Sequence, residues 1–388
     1  MKKIAVGIVG AGFIGPAHVE ALRRLPGVEV LALAGSDAAR ARRKAEQLGI
    51  GLSFGDYREL LAREEIEVVH VCTPNHLHYR MTRDALEAGK HVVCEKPLAV
   101  GSGEARELVA LASARGRVNA VHFNVRYYPL MRQLKRMVEK GEMGRIFSIH
   151  GSYLQDWLFY ETDYNWRLEP ELSGPSRAVA DIGSHWMDLV EHVSGLRAVE
   201  VFVEFATFHG RRKKPLRPVE TYAGKILHPE DYAEVAVETE DYATVLLRFD
   251  TGARGALTVS QVSAGRKNRI SFELDGSRRA AAWNSESPNA LWIGRRDGPN
   301  EELMKDPSLV DPEVRSLIDF PGGHNEAFPD TSKQLFREVY QRIASGQDGP
   351  VPFPTFADGL RELVLCEAIL ESREKGSWVK VRGEGERS

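Results

Sequence analysis

Short apolar runs alternate with amphipathic segments along residues 1–124 of this chain. The runs predict buried strands, because they are short and are bounded by turn residues. These strands are predicted at residues 4–9, 28–34, 68–72, 91–94 and 118–123. The segments between them predict helices at residues 18–25, 38–48, 56–63, 78–88 and 104–114. Strands separated by helices of this length predict a parallel, doubly wound α/β sheet, and we assign residues 1–124 to one domain of this kind.

The pattern changes in residues 125–388, which we assign to a second domain. A predicted helix at residues 130–140 is followed by strand-like runs separated by turn signals such as Asp275-Gly276. These runs lie at residues 146–153, 199–208, 234–239, 243–249, 253–261, 269–274, 279–284 and 290–294. Helices are predicted again at residues 330–345 and 355–375. This order is typical of an α+β domain with a mostly antiparallel sheet.

Composition and charge exclude several classes of protein. Hydrophobic residues make up 43% of the 388 residues and charged residues 28%, as in ordinary globular proteins. The formal net charge of −3 argues against nucleic acid as a main partner and indicates no membrane surface. No segment is long and apolar enough to span a membrane, and the N-terminus lacks the layout of a signal peptide. Three cysteines cannot form a disulfide framework, so we expect a reducing, cytoplasmic environment.

One basic, proline-punctuated stretch, residues 210–218, runs through Arg211 and Arg217. Such a stretch could contact an anion or a polymer. A solvated loop between strands is the commoner explanation, and it is the one we expect here.

A glycine turn directly follows the first predicted strand. Gly10, Gly12 and Gly15 form a GxGxxG pattern, with Phe13 and Ile14 inside it. In a strand–turn–helix context the first glycine permits a tight turn, the second lets the backbone approach a pyrophosphate, and the third allows close helix packing. The helix N-terminus offers N–H groups and a partial positive charge to the phosphates. The pattern therefore predicts a dinucleotide site.

Two loops follow predicted strands at the edge of the sheet where ligands bind. The candidate cofactor contacts in the first loop are Thr73, Pro74, Asn75 and His78. Cys72 and the two histidines of this loop could suggest zinc, but polar residues facing a cofactor are commoner, and we predict no metal site. In the second loop, Lys96 is placed to hydrogen-bond a substrate hydroxyl and lower its pKa.

Asp181 and His185 are separated by four positions, so they share one face if the segment is α-helical. An aspartate can orient and charge-stabilise an imidazole that takes up a proton. Such a pair is also a common structural contact, so the spacing alone leaves both roles open.

Three further segments combine aromatic rings with hydrogen-bond donors, which suits a sugar-like ring with several hydroxyl groups. They contain Asn124 with Arg126, Tyr153 with Trp157, and Trp166 with Arg167. We expect about half of the aromatic rings to belong to the core instead, since most large aromatic side chains are buried.

Together these motifs resemble those of the Gfo/Idh/MocA family, which includes glucose–fructose oxidoreductase, inositol dehydrogenase and the rhizopine-catabolism proteins. The glycine turn followed by His18, the TPN-H-x-H loop, the Glu-Lys-Pro loop, the FN-x-RY run, the Trp-Arg pair and the D-x-G-x-H segment occur in the family's order. The resemblance covers nearly the whole chain. It implies an N-terminal Rossmann domain, and a C-terminal domain whose large open sheet builds a homodimer or homotetramer. Residues 153–157 and 183–186 are also similar to levoglucosan-type sugar dehydrogenases within the family.

The resemblance also implies roles for individual residues. Lys96, Asp181 and His185 match the family's catalytic lysine, aspartate and histidine. The predicted substrate contacts are Lys96, Arg126, Tyr153, Trp157, Asp181, His185 and, in a Gly-Gly-His-Asn-Glu loop, His324. The predicted cofactor contacts beyond the glycine turn are Ser36, Asp37, Arg40, Thr73, Pro74, Asn75, His78, Glu95, Lys96, Asn124, Trp166 and Arg167.

The end of the second predicted strand leaves the choice between NAD and NADP open. An acid directly at this strand end binds the ribose 2′-hydroxyl and favours NAD. Ser36 stands there instead, and a small hydroxyl residue with nearby arginines such as Arg40 can accept a 2′-phosphate. Asp37 follows and can still reach a ribose. Residues 173–176, Ser-Gly-Pro-Ser, also depart from the family's glycine-rich stretch, which affects the expected substrate contacts.

The sequence therefore predicts a cytoplasmic NAD(P)-dependent oxidoreductase that moves hydride between nicotinamide and a secondary alcohol of a sugar, anhydrosugar or cyclitol. His185 is expected to act as the base and Lys96 to stabilise the alkoxide, while Asp181 orients His185 or contacts the substrate. One alternative is a non-catalytic nucleotide-binding sensor, although a sensor needs no proton-relay set. The other is a sugar–sugar oxidoreductase that keeps its cofactor bound.

Overall fold

The computed structural model describes residues 3–216, 229–347 and 349–383, which group into two compact units. The first unit contains the chain up to Tyr127 and also Phe328–Leu363. The second contains Tyr128–Ala327 and the described residues from Val364 onward. None of the helices in these ranges combines the length and the apolar composition needed to cross a membrane.

The first unit is built on a six-stranded parallel sheet in the order β3-β2-β1-β4-β5-β6. The strands are β1 (Ile4–Val9), β2 (Val28–Ala34), β3 (Leu52–Phe54), β4 (Val68–Val71), β5 (His91–Cys94) and β6 (Asn119–Val121). The helices are α1 (Ile14–Arg23), α2 (Ala38–Leu48), α3 (Tyr57–Leu61), α4 (His78–Glu87) and α5 (Ser102–Ala114). This confirms the predicted doubly wound sheet. The strand order reverses at β1 and β4, the point where such sheets bind ligands.

The second unit is built on a nine-stranded sheet in the order β16-β15-β14-β13-β7-β12-β11-β8-β17, beside a two-stranded ribbon of β9 and β10. The strands are β7 (Ile146–Leu154), β8 (Ala198–Ala206), β9 (Arg211–Pro215), β10 (Tyr232–Ala236), β11 (Tyr242–Phe249), β12 (Arg254–Ser260), β13 (Arg269–Gly276), β14 (Ala280–Asn284), β15 (Ala290–Gly294), β16 (Glu301–Met304) and β17 (Val379–Lys380). The helices before β8 are α6 (Pro129–Glu139), α7 (Pro170–Ser173) and α8 (Ser184–Ser194). Only β7 and β12 pair in parallel among the described strands of the large sheet, so the predicted mostly antiparallel sheet is confirmed.

Two helices end the chain, α9 (Phe328–Ser345) and α10 (Phe356–Lys375). Helix α9 belongs to the first unit, where the Phe336 ring packs edge-on against His18 and the Tyr340 hydroxyl lies 2.9 Å from His70 Nε2. The predicted second domain of residues 125–388 is therefore corrected for this segment. A helix far along the chain covers the first sheet because its apolar face completes that core.

The basic stretch is a strand rather than the predicted solvated loop. Arg211–Pro215 forms β9, and the Arg212 side chain is fully buried. Its guanidinium donates to Asp241 Oδ1 at 2.7 Å and to the backbone oxygen of Leu158 at 2.9 Å. The buried carboxylate of Asp241 thus compensates the charge of Arg212 in the interior. Arg217 lies outside the described residues.

Candidate functional site

The glycine turn after β1 contains two glycines that the fold requires and one that it does not. Gly10 has a φ of +117°, and a Cβ atom there would lie 2.3 Å from the backbone oxygen of Cys72. A Cβ atom on Gly15 would lie 2.1 Å from the backbone oxygen of Gly10. A Cβ atom on Gly12 meets no described atom within 4 Å. The exposed side of Gly12 therefore has room for a ligand to approach the backbone.

The N-terminus of α1 follows this turn and carries no side-chain cap. Phe13 occupies the N-cap, where its ring cannot accept a hydrogen bond, and the first turn contains no acidic residue. Nearby, the Thr73 hydroxyl is buried without a hydrogen-bond partner among the residues that the structure describes. An uncompensated helix N-terminus favours an anion, and an orphaned hydroxyl favours a polar ligand. These residues fit the pyrophosphate of a dinucleotide.

The end of β2 differs from the start of α1, because the acidic residue there, Asp37, already caps a helix. Asp37 is the N-cap of α2 and accepts a hydrogen bond from the Arg40 backbone N–H at 2.7 Å. Ser36, Asp37 and Arg40 are all exposed. They lie at the end of β2, where Rossmann folds bind the adenosine ribose. Their role in binding the cofactor stays a prediction.

His78, a predicted cofactor contact, is buried and hydrogen-bonded within the protein. It is 1% exposed, and its ring nitrogens lie 2.6 Å from the backbone oxygen of Pro97 and 2.7 Å from that of Thr73. Burial lowers the pKa of His78, so it stays neutral. The ring therefore holds the loop after β4 against the loop after β5, and its cofactor role stays a prediction.

Glu95, another predicted cofactor contact, is also buried, and its cofactor role stays a prediction. Its Oε1 atom lies 2.8 Å from His18 Nε2 and 2.6 Å from His122 Nδ1, while Oε2 is 3.3 Å from the backbone nitrogen of Lys96. Glu95 is 7% exposed, and both histidines are more deeply buried. The carboxylate thus connects Lys96, which precedes a cis peptide bond to Pro97, with a buried histidine cluster.

The cluster forms one continuous chain of hydrogen bonds in the first unit. His18 Nδ1 lies 2.9 Å from His70 Nδ1, His70 Nε2 lies 2.9 Å from the Tyr340 hydroxyl, and His122 Nε2 lies 2.9 Å from the Ser332 hydroxyl. If Glu95 is ionised, every bond is satisfied by neutral imidazoles: Tyr340 donates to His70, His70 to His18, and His18 to Glu95.

The pKa directions agree with this assignment. Burial, together with repulsion from His122, lowers the pKa of His18 to about 4, and burial holds that of His70 well below its usual value. Burial by itself raises the pKa of Glu95, but attraction to His122 and the hydrogen bonds of both histidines hold it well below its usual range. The Glu95 carboxylate therefore stays ionised inside the first unit.

His18, Glu95 and His122 together have the donor types of a metal site. Both ring nitrogens, however, point at the same carboxylate oxygen from hydrogen-bond distance. The three side chains already satisfy one another, so this geometry is that of a hydrogen-bonded cluster.

Two further predicted ligand contacts, Asn124 and Arg126, also face inward in the first unit. Asn124 is 1% exposed and its Nδ2 donates to the Thr331 hydroxyl at 2.7 Å. Arg126 is 8% exposed and its Nη2 donates to Asp358 Oδ1 at 2.8 Å. Both residues therefore tie the 3₁₀ turn after β6 to α9 and α10, a positioning role that the sequence pattern does not reveal.

In the second unit, Asp181 lies in a single π-helical turn, Val179–Gly183, immediately before α8. Hydrogen bonds in a π turn run to the fifth residue, so the four-residue spacing to His185 does not have its usual α-helical meaning. Asp181 Oδ1 accepts from Arg167 Nε at 3.2 Å, and Oδ2 accepts from Gln261 Nε2 at 3.1 Å. The structure thus places Arg167, a predicted cofactor contact, against the predicted catalytic aspartate.

His185 opens the first turn of α8 and is half-buried. The ring of Tyr153, on β7, has its centroid 6.2 Å from that of His185, so two of the predicted substrate contacts are neighbours. The Tyr153 hydroxyl donates to Asn268 Oδ1 at 2.9 Å, and Trp157 Nε1 donates to the Lys267 backbone oxygen at 2.7 Å.

The remaining predicted contacts are arranged less tightly. The Arg167 guanidinium stacks over the Trp166 ring, 4.6 Å from its centroid. His324 is exposed on a loop, with Nδ1 3.3 Å from the Gly322 backbone oxygen. Its substrate role stays a prediction.

The residues that hold these groups in place carry no distinctive signal in the sequence. His70, Tyr340 and Ser332 complete the cluster behind Glu95, and Gln261 contacts Asp181. Each is a polar residue inside or next to an apolar run, a weak signal of a buried hydrogen bond that does not identify the partner.

Comparison with known proteins agrees with the two units. Residues 4–123 match the oxidoreductase family described as having an NAD-binding Rossmann fold. Residues 131–282 match the GFO/IDH/MocA C-terminal domain.

Individual relatives match along their whole length. The chain is 30% identical to levoglucosan dehydrogenase of Pseudarthrobacter phenanthrenivorans, over 98% of this chain and 99% of that protein. A solved levoglucosan dehydrogenase in complex with NADH and levoglucosan superposes with a TM-score of 0.87 at 29% identity, covering 98% of this chain and 100% of the other. An inositol dehydrogenase homologue from Azotobacter vinelandii, in complex with NADH and myo-inositol, gives a TM-score of 0.85 at 26% identity, with 98% of each chain covered.

Proposed function

Because the chain belongs to the Gfo/Idh/MocA family of oxidoreductases, with an NAD-binding Rossmann domain, we propose that it oxidises a secondary alcohol of a sugar, anhydrosugar or cyclitol. The observation that carries this proposal is the end-to-end similarity to an enzyme solved with NADH and levoglucosan. The similarity to an inositol dehydrogenase homologue supports the wider class of ring polyols. Fold similarity alone does not select one substrate, so the class is the level we propose.

We assign cofactor binding to residues on the turn after β1, the ends of β2, β4 and β5, and the Trp-Arg pair. They are Gly10, Gly12, Phe13, Ile14, Gly15, Ser36, Asp37, Arg40, Thr73, Pro74, Asn75, Lys96, Trp166 and Arg167. The strongest support comes from the open space at Gly12 and the orphaned Thr73 hydroxyl. The alternation of glycines in this turn leaves the backbone N–H groups of α1 as the pyrophosphate ligands.

The chemistry divides between a base and an electrostatic group. Nicotinamide, when bound, supplies the acceptor for the hydride that leaves the carbinol carbon. His185 takes the hydroxyl proton, because histidine ordinarily has a pKa near neutrality and can accept a proton at working pH. Lys96 donates a hydrogen bond to the same hydroxyl oxygen and stabilises the negative charge that develops there. Asp181 orients His185 or contacts the substrate.

The buried Glu95 helps to position Lys96. Its Oε2 atom accepts from the Lys96 backbone, and Oε1 is held by His18 and His122. The carboxylate therefore keeps the loop of Lys96 in place through the Lys96 backbone.

The direct test is to follow reduced-nicotinamide absorbance while NAD⁺ and NADP⁺ are offered separately with pyranoses, levoglucosan and inositols. We expect turnover with at least one ring polyol, and the comparison of the two cofactors decides between NAD and NADP. Cofactor binding without turnover across the panel would contradict the proposal and favour a sensor. Cofactor that co-purifies and is reduced and reoxidised only by pairs of sugars would indicate a closed hydride shuttle.

A pair of glycine substitutions separates cofactor binding from folding. Gly12→Ala adds a methyl group in open space, so we expect unchanged thermal unfolding but NADH binding weaker by about tenfold or more. Gly10→Ala is the matched control, because its positive φ and backbone clash predict a loss of about 1–3 kcal/mol in stability. NADH fluorescence titration and calorimetry measure the two effects. NADH affinity that survives Gly12→Ala would place the pyrophosphate elsewhere.

Assembly through the nine-stranded sheet, into a homodimer or homotetramer, is also part of the proposal. Large apolar side chains on this sheet, among them Phe147, Leu246 and Trp292, are between 36% and 47% exposed in the single chain. Exposed apolar side chains on one sheet are typical of a surface that a second copy covers.

A further inference from the structure

Asp181 is connected to a deeply buried arginine through the side-chain amide of Gln261. Gln261 Nε2 donates to Asp181 Oδ2 at 3.1 Å, and Gln261 Oε1 accepts from Arg177 Nη1 at 3.1 Å. Gln261 is 1% exposed and Arg177 is 1% exposed, whereas the Asp181 side chain is 13% exposed. The three residues thus form a chain of hydrogen bonds from the interior of the second unit to Asp181, which we propose to be catalytic.

The direction of each hydrogen bond in this chain follows from which groups can donate. A guanidinium can only donate hydrogen bonds, so the atom of Gln261 that faces Arg177 must be the carbonyl oxygen. The atom that faces Asp181 is then the amide nitrogen, which can only donate. Asp181 must accept at that oxygen. The amide therefore has one orientation, and it presents a fixed N–H group to the carboxylate.

Arg177 is itself immobilised by acids on the segment before β11. Its Nη2 donates to Asp241 Oδ1 at 2.5 Å, and its Nε donates to the Thr239 hydroxyl at 3.1 Å. Glu240 Oε1 accepts from the backbone nitrogens of Arg177 and Val179, at 2.9 and 3.0 Å. These contacts fix both the guanidinium and the start of the π turn that carries Asp181. Because the Arg177 guanidinium is held in place, it also fixes the orientation of the Gln261 amide to which it donates.

We propose that Gln261 is a positioning residue for the reaction, which orients Asp181 by donating to Oδ2 while Arg177 fixes the amide orientation. This inference rests on the proposed function, because it assumes that Asp181 serves the hydride transfer. Gln261 acts through Asp181 alone. Its loss should consequently lower kcat and leave the affinity for NADH nearly unchanged, since Arg167, the neighbouring proposed cofactor contact, bonds the other oxygen of Asp181, Oδ1.

The decisive experiment is a double-mutant cycle on kcat with the full chain. Gln261→Glu keeps the acceptor for Arg177 but places an acceptor, in place of the N–H donor, opposite Asp181. We expect kcat to fall by about tenfold, the value of one well-oriented hydrogen bond, while NADH binding measured by fluorescence stays constant. In the Asp181→Asn background the same substitution should have almost no further effect, because residues that act as a unit are non-additive.

Two companion variants keep the cycle interpretable. Gln261→Met removes both hydrogen bonds at similar volume, and it replaces Gln261→Glu if the latter does not fold. Gln133→Glu is the matched control, a buried glutamine of α6 whose Oε1 accepts from the Asp311 backbone nitrogen at 2.7 Å, and it should leave kcat unchanged.

The outcomes separate this inference from the proposed function. Absence of turnover in the unchanged protein contradicts the proposed function itself. The positioning role would be overturned if the wild-type protein turns over but Gln261→Glu leaves kcat unchanged. It would also be overturned if Gln261→Glu lowers kcat equally in the wild-type and the Asp181→Asn proteins. A change confined to KM for NAD⁺ would overturn it as well.

Discussion

His185→Ala is expected to lower kcat by about 10²–10⁴, the usual contribution of a general base, while the dissociation constant of NADH stays close to that of the unchanged protein. The reason is that His185 is not among the proposed cofactor contacts. It lies at the start of α8 and beside Tyr153, whereas the glycine turn proposed to bind the pyrophosphate follows β1. Steady-state kinetics with the best polyol of the panel and an NADH fluorescence titration measure the two quantities.

His192→Ala is the matched control for this prediction. His192 lies on the same helix two turns later, and its backbone oxygen accepts from Lys135. Its replacement removes an imidazole of similar burial and should leave kcat nearly unchanged. Equal turnover in His185→Ala and the unchanged protein would mean that another group accepts the proton.

Asp241→Asn is expected to destabilise the second unit by about 3–5 kcal/mol, because it leaves a buried positive charge without its partner. Arg177 and Arg212 both donate to Asp241 Oδ1, at 2.5 and 2.7 Å, and all three side chains are fully buried. Glu240, 2% exposed, supplies the fourth charge and makes the group neutral overall. Calorimetry should show the melting temperature lowered by roughly 10 °C.

The control is Asp297→Asn, at an exposed position after β15, which should change stability by no more than about 0.5 kcal/mol. Burial opposes ionisation of Asp241, but the two arginines hold its pKa below the usual value. A carboxyl with a lowered pKa in the folded state stabilises the fold above its ordinary pKa, and this stabilisation is lost only as the pH falls through the lower value. An Asp241→Asn protein as stable as the control would show that the two guanidinium groups need no such counter-charge.

Local patterns in the sequence were sufficient for most of the secondary structure. The strands at residues 28–34 and 91–94 agree with the structure at both ends, because each is a mostly apolar run that ends in buried residues and is followed by turn residues. Short edge strands were missed, among them β3 and β16, since three or four residues with mixed polarity carry little periodic signal.

The candidate site was predicted to a lesser extent. Where function requires a backbone feature, as at Gly10 and Gly15, the residue type itself identifies the position, because no side chain fits. For His78, Glu95, Asn124 and Arg126 the motif was identified correctly, but the side chain turned out to face the interior. A motif specifies which residues lie near a ligand, and it does not specify which of their atoms are already bound to the protein.

The sequence by itself determined the alternation of strands and helices, the glycine turn and the family, because these depend on spacing and on the properties of single residue types. The tertiary structure alone decided that Glu95 joins His18 to His122, that Arg212 enters the core, and that Gln261 reaches Asp181. Each of these contacts unites residues from different elements. Burying a charge or an amide is favourable only when its partner is also buried, and partners far apart along the chain are chosen by how the elements pack.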